Sequence, residues 1–299
     1  MEKTVPFVKV KGECVMRLDA HQHYWDIARG DLGWLSPDVP VLYRSYLPDD
    51  LKPELAKYRI DGTIVVQAER SHEETDYLLA LSDNEPSIAG VVGWLDLHDP
   101  DWERHYERFR RHPKFVGFRV MIQEMADPAE VLKPNVIEAL ARMEELDQPV
   151  DLLMRSPQLP AVLELMEKVP NLRGVINHIA KPPIKDGILE PWAEQMRVLA
   201  GYPKLYCKLS GMITEADHRR WEPEQLIPYI RHVTELFGPR RVMFGSDWPV
   251  CLLAGSYDDV IGALERALPE AWTEREREAL FGGNAAEFYK LGGRGNRER

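Results

Sequence analysis

The feature that most constrains this chain is an alternation of two periods. Short β-branched or apolar runs recur at Val15 to Asp19, Thr63 to Gln67, Ile88 to Leu95, Phe115 to Val120, Val150 to Leu153, Gly174 to Asn177, Leu205 to Leu209 and Val242 to Phe244. Between them lie longer segments with helical spacing, such as "NVIEALARMEEL", "LPAVLELMEKV" and "PEQLIPYIRHVTELFG", several of which end in proline or glycine before the next run. Repeated strand-helix units predict a parallel sheet, and eight of them predict closure into a (β/α)8 TIM barrel. A doubly wound open sheet is the rival topology, but the chain has no glycine-rich dinucleotide turn.

A chain of 299 residues suits one barrel domain, expected over residues 16–291. Met16 offers a second start, so residues 1–15 read as an N-terminal extension and "GGRGNRER" at 292–299 as a flexible tail. The net charge of −11 argues against nucleic acid or an anionic membrane as partner, and the short basic runs at Arg108, Arg110 and Arg111 and at Arg219 and Arg220 read as solvated helix faces. No stretch approaches the ~18 apolar residues of a membrane span and the first fifteen residues lack a signal-peptide block, so a cytoplasmic protein is expected. Cys14, Cys207 and Cys251 are far apart, without the spacing of a disulfide framework or a cysteine zinc site. Homo-oligomerisation is open.

In such a barrel the reactive groups collect at the carboxyl-terminal ends of the strands. That rule gathers His21, His23 and Trp25 after the first strand and Gln67 and Glu69 after the second. It adds Arg119 at the fourth, Arg155 after the fifth, His178 and Lys181 after the sixth, Lys208 and Ser210 at the seventh, and Asp247 and Trp248 after the eighth. Each has a plain reading: a hydrogen-bonded structural histidine, an arginine paired to a nearby acid, a turn aspartate before proline. Jointly they are hard to explain as packing, because buried charges are costly without partners. Lys208 reads equally as a buried ion-pair partner or a substrate contact, and Cys251 as a nucleophile is a weak alternative, since no histidine lies beside it in sequence.

The motifs "DAHQHYWD", "INHIAKP" and "MFGSDWPV", with "KFVGFRVMIQE", "CKLSGMITEA" and "FGGNAAEFY", resemble the amidohydrolase superfamily (the amidohydrolase 2 family) from about Arg17 to Leu291. The likeness is greater to its sugar-lactone hydrolase branch, which is related to the 2-pyrone-4,6-dicarboxylate lactonases. Binuclear members carry a bridging lysine or glutamate at strand four and a histidine at strand five; this chain offers Arg119 and Arg155 there. The resemblance therefore implies either no metal requirement or one divalent ion, zinc, at a mononuclear site of His21, His23, His178 and Asp247.

It implies hydrolysis of a sugar-derived lactone, with L-fucono-1,5-lactone or L-rhamnono-lactone as first expectations. A pyrone-dicarboxylate lactonase and a zinc-dependent decarboxylase are the alternatives, and a non-catalytic sugar-acid binding barrel is a further one. Asp247 is the expected general base, His21, His23 and His178 orient water or polarise the carbonyl, and Arg119 stabilises the oxyanion. Trp25, Trp34, Gln67, Glu69, Arg155, Lys181 and Trp248 are the expected substrate contacts.

Overall fold

The computed structural model describes residues 16–292. The expected extension, residues 1–15, and the expected tail apart from Gly292 lie outside the described residues. Eight strands run in sequence order around one sheet: β1 (Leu18–Gln22), β2 (Gly62–Val66), β3 (Ile88–Trp94), β4 (Phe115–Met121), β5 (Val150–Leu153), β6 (Gly174–Ile176), β7 (Leu205–Leu209) and β8 (Val242–Phe244). Each pairs with the next in parallel. The sheet returns on itself where Asp247 N–H donates to the His21 carbonyl at 2.8 Å and His23 N–H donates to the Trp248 carbonyl at 2.7 Å. The chain is a (β/α)8 barrel.

The strands were legible because a parallel strand is buried on both faces and so reads as one apolar run. Val66 and Val92, with Leu18, Ala20, Ile64, Val116, Val175 and Met243, cluster with Phe288 and Tyr289 and fill the barrel interior. Val65, Val91, Phe118 and Leu152 point the other way, into the larger core beneath the helices. The first strand differs from expectation by three residues. It begins at Leu18, which pairs with Gly62, and it includes His21, which therefore lies on the strand and not after it.

Helices α1 (Pro48–Tyr58), α2 (His72–Asn84), α3 (Trp102–Phe109), α4 (Pro134–Glu145), α5 (Leu159–Lys168), α6 (Trp192–Ala200), α7 (Pro223–Phe237) and α8 (Tyr257–Ala267) cover the sheet. In α7 the apolar side chains Leu226, Ile230, Val233 and Phe237 recur at three- and four-residue spacing and are all buried. Pro223 starts the helix where its missing N–H is harmless, and Gly238, at φ +67°, ends it. Burying one such side chain stabilises by about 1.5–3 kcal/mol. Asn284 is the first residue of the closing helix Asn284–Phe288, and its Nδ2 donates to the Val242 carbonyl at 2.6 Å and the Pro239 carbonyl at 2.8 Å. It fastens that helix to the start of β8.

Candidate active site

The seam between β1 and β8 builds the centre of the site. The β1–β2 register shifts between Asp19 and Gln22, an irregularity of the kind that re-aims side chains beside functional sites. Asp19 stabilises it: Oδ1 accepts from the His21 N–H at 3.1 Å and the Ser246 N–H at 2.9 Å, and Oδ2 accepts from the Tyr257 hydroxyl at 3.1 Å. Full burial pushes the Asp19 carboxyl up to about 6. Two glycines make the room. A Cβ on Gly245 would lie 2.5 Å from that of His21, and one on Gly211 would lie 2.4 Å from Nδ1 of His178. Gly211 also has φ +59°, which a side chain would strain.

Three imidazoles face one carboxylate. Oδ1 of Asp247 lies 3.4 Å from Nε2 of His23, 3.7 Å from Nε2 of His21 and 3.8 Å from Nε2 of His178. Asp247 adopts φ +58°, and four consecutive residues from His178 to Lys181 also have positive φ. Non-glycine residues rarely do so, and such strain concentrates at functional sites. Each ring is held through its other nitrogen. His23 Nδ1 donates to the Val66 carbonyl at 2.7 Å, His178 Nδ1 is 2.9 Å from Ser210 Oγ, and His21 Nδ1 is 3.2 Å from Lys208 Nζ. Burial lowers all three imidazoles below their ordinary value, so they are neutral at pH 7. Burial alone would raise Asp247, but His178, His23 and Lys181 outweigh it and keep the carboxylate ionised.

These groups open onto a cavity of about 450 Å3. Its lining includes His23, His178, Asp247, Arg119, Glu69 and Lys181, six of the residues expected from strand position, together with Trp34, expected as a substrate contact. Arg119 is buried; its Nη2 donates to Gln67 Oε1 at 2.6 Å and to the Gln67 carbonyl, while its Nε–H has no partner. Burial pushes the guanidinium down to about 10, still cationic at neutral pH. Lys181 lies 3.5 Å from Glu215.

The other residues named from the sequence lie off the lining. His21 is fully buried behind the cavity wall. Gln67 is fully buried and spends its side chain on Arg119, so it supports the wall without forming it. Trp25 and Trp248 belong to the core, each edge-on to Tyr46 at 5.4 and 5.1 Å, with Trp25 Nε1 donating to the Arg44 carbonyl. Arg155 points to solvent and is absent from the lining. Lys208 is wholly buried and paired to Asp151. Cys251 is buried and its thiol is pushed well up by burial, against the nucleophile reading. Arg70, Gln123 and Glu124 line the cavity and had not been singled out, although they follow β2 and β4 and the strand-end rule reaches them.

His21, His23 and Asp247 present donor atoms that all lie within 4.8 Å of one another, the one such group found among the described residues. His23 fits a cation well, since its Nδ1–H is spent on a carbonyl and Nε2 is a lone pair. Buried Nε2 of His21 has no hydrogen-bond partner.

The chain matches the amidohydrolase family over residues 18–291. It is 38% identical over 286 residues to the L-fucono-1,5-lactonase of Burkholderia multivorans, covering 92% of this chain and 96% of that one. To the L-fucono-1,5-lactonase of Burkholderia ambifaria it is 39% identical over the same shares. A crystal structure of a Burkholderia multivorans amidohydrolase with bound zinc superposes with a TM-score of 0.88 at 37% identity, covering 92% of this chain and 99% of the other. With its barrel, its His-x-His strand and its aspartate after β8, the chain belongs to the amidohydrolase family.

Proposed function

We propose that this protein is a lactonase that opens a sugar-derived lactone, L-fucono-1,5-lactone or L-rhamnono-lactone, by attack of water on the ring ester. The observation that carries the reading is the Asp247 carboxylate facing neutral imidazoles at the cavity wall. The names of the Burkholderia relatives support the substrate class. With the net charge of −11, the reading goes with a cytoplasmic, small-molecule enzyme without nucleic-acid or membrane partners.

A lactone needs a water, a base and a cation for the oxyanion. Asp247 and the bare Nε2 of His23 accept the two protons of one water and aim its lone pair at the carbonyl carbon. As the C–O bond forms, Asp247 takes a proton and later returns it to the departing ring oxygen, leaving a hydroxy acid. Arg119, with its unpartnered Nε–H, stabilises the tetrahedral oxyanion, and loss of such a donor costs ~2.7–4 kcal/mol of barrier. Trp34 covers a ring face, while Glu69 and Lys181 bond hydroxyls. A zinc ion held by His23, Asp247 and either His21 or His178 would supply Lewis acidity and a more acidic water.

A pyrone-dicarboxylate substrate fits less well, because Arg155 does not reach the cavity and Glu69 and Glu124 line it. The test is proton release from a panel of fresh aldonolactones, with wild type and Asp247→Asn, each with and without chelator. Rapid hydrolysis of a 6-deoxy-L-lactone that the substitution abolishes is expected, and chelator sensitivity assigns or removes the metal. No turnover of any lactone, with carbon dioxide released from aromatic acids, would replace this reading with the decarboxylase.

A further inference from the structure

Behind the cavity wall, Lys208 on β7 and Asp151 on β5 form an ion pair at 2.5 Å with both side chains wholly buried. Both oxygens of Asp151 accept: the Tyr289 hydroxyl donates to Oδ1 at 2.7 Å, and Asn177 Nδ2 and Lys208 Nζ donate to Oδ2 at 2.9 and 2.5 Å. The 2.5 Å contact between wholly buried side chains makes Lys208 the cation of this pair.

The same ammonium group reaches His21, whose Nδ1 is 3.2 Å away. An ammonium group has donors and no lone pair. Nδ1 of His21 must therefore accept, which leaves the single proton of the neutral ring on Nε2. His23 is the reverse. Its Nδ1 faces the Val66 carbonyl, which can only accept, so the proton is on Nδ1 and Nε2 is bare. The two histidines of one motif enter the site with opposite polarity.

We infer that Lys208 is a positioning residue that fixes His21 in its Nε2–H tautomer, making His21 a hydrogen-bond donor directed at Asp247 and unable to ligate a cation through Nε2 until that proton leaves. Nε2 of His21, buried and without a hydrogen bond at 3.7 Å from Asp247 Oδ1, is the atom so placed. The pair of opposite tautomers turns an N–H toward Asp247 from one side and leaves the acceptor of His23 for water. The consequence for hydrolysis rests on the lactonase reading; the tautomer does not.

The test is long-range 1H–15N correlation on metal-stripped protein labelled at histidine nitrogen, near neutral pH, with His21 assigned by its disappearance in His21→Gln. Nε2–H at His21 beside Nδ1–H at His23 is expected, and Nδ1–H at His21 in the wild type overturns the inference. The double variant Lys208→Met, Asp151→Asn removes both buried charges together. In it His21 should shift toward Nδ1–H, and zinc, measured by competition with a chelating dye, should bind ~10-fold more tightly, the scale on which outer partners tune metal sites. An unchanged His21 tautomer in the folded double variant also overturns it. Failure of every lactone to react would sink the proposed activity while leaving the nitrogen spectrum as the judge of Lys208.

Discussion

Asp151 and Asp247 are both buried aspartates of one barrel, and they are treated in opposite ways. Asp151 is enclosed, with a hydroxyl, an amide and an ammonium group donating to its two oxygens at 2.5–2.9 Å. Asp247 meets three imidazole nitrogens only at 3.4–3.8 Å, on backbone of positive φ, at the edge of a cavity. Burial does not separate the two; satisfaction does. A carboxylate with short hydrogen bonds to both oxygens stabilises the fold, whereas one without them beside a cavity is available to a substrate or water.

Exchange of roles between these aspartates would break the comparison. Asp247→Asn should reduce hydrolysis on the order of 10⁴-fold, the upper end for a positioned base, with a loss of folding stability well below that of the Asp151 variant. Asp151→Leu should cost about 3–5 kcal/mol in denaturant unfolding, because it strands the Lys208 charge in the barrel. If Asp151→Leu instead melts like wild type while Asp247→Asn unfolds, the contrast drawn from hydrogen bonding is wrong.

Gly211→Ala tests the crowding on the Asp247 side. Its methyl would press on His178, so a loss of about 100-fold in kcat is expected, the usual cost of ~1 Å misplacement, together with about 1–2 kcal/mol for a side chain at positive φ. Crystals of the alanine variant with an unmoved His178 ring and wild-type kcat would remove the packing argument.

The smallest effect from a single residue is in pH. The three imidazoles are lowered in the folded protein, so the unfolded chain binds more protons below about 6.5. Their contribution is complete above that value and is lost as pH falls, at up to about 1.4 kcal/mol per unit for each ring. Asp19, raised to about 6, works in the opposite direction between 6 and 3.8, one group against three. Unfolding free energy should decline from pH 6.5 downward, and His178→Gln should flatten the slope by one ring's share. A slope unchanged by that substitution would contradict a neutral buried His178.

Most of the fold was legible because seven of the eight strands are mostly apolar. β1 was misplaced because His21 and Gln22 look like a loop, although they and Asp19 are fully buried. Their burial is possible only through partners on other elements, Ser246, Tyr257, Lys208 and Thr63, which no local pattern reveals. The strand-end rule located Asp247, His23, His178 and Arg119 on the cavity for the same reason it mislocated Arg155: it gives the end of a strand but not the direction of the side chain. Trp25 and Trp248 were drawn into the Tyr46 cluster by the loop between β1 and α1, and Lys208 could not be assigned without Asp151 across the barrel.

The seam that closes the barrel joins positions 227 apart in the sequence, at the Asp19–Ser246 hydrogen bond. During synthesis at ~5–20 residues per second, roughly 10–45 s separate the two strands as they leave the ribosome. Through that interval His21 and His23 exist without Asp247, and β1 is an open edge with exposed backbone donors and acceptors. Under the proposed lactonase reading, the Asp247 site and a closed sheet arrive with the same final strand, so a nascent chain of this protein cannot act on its substrate before it has become a barrel.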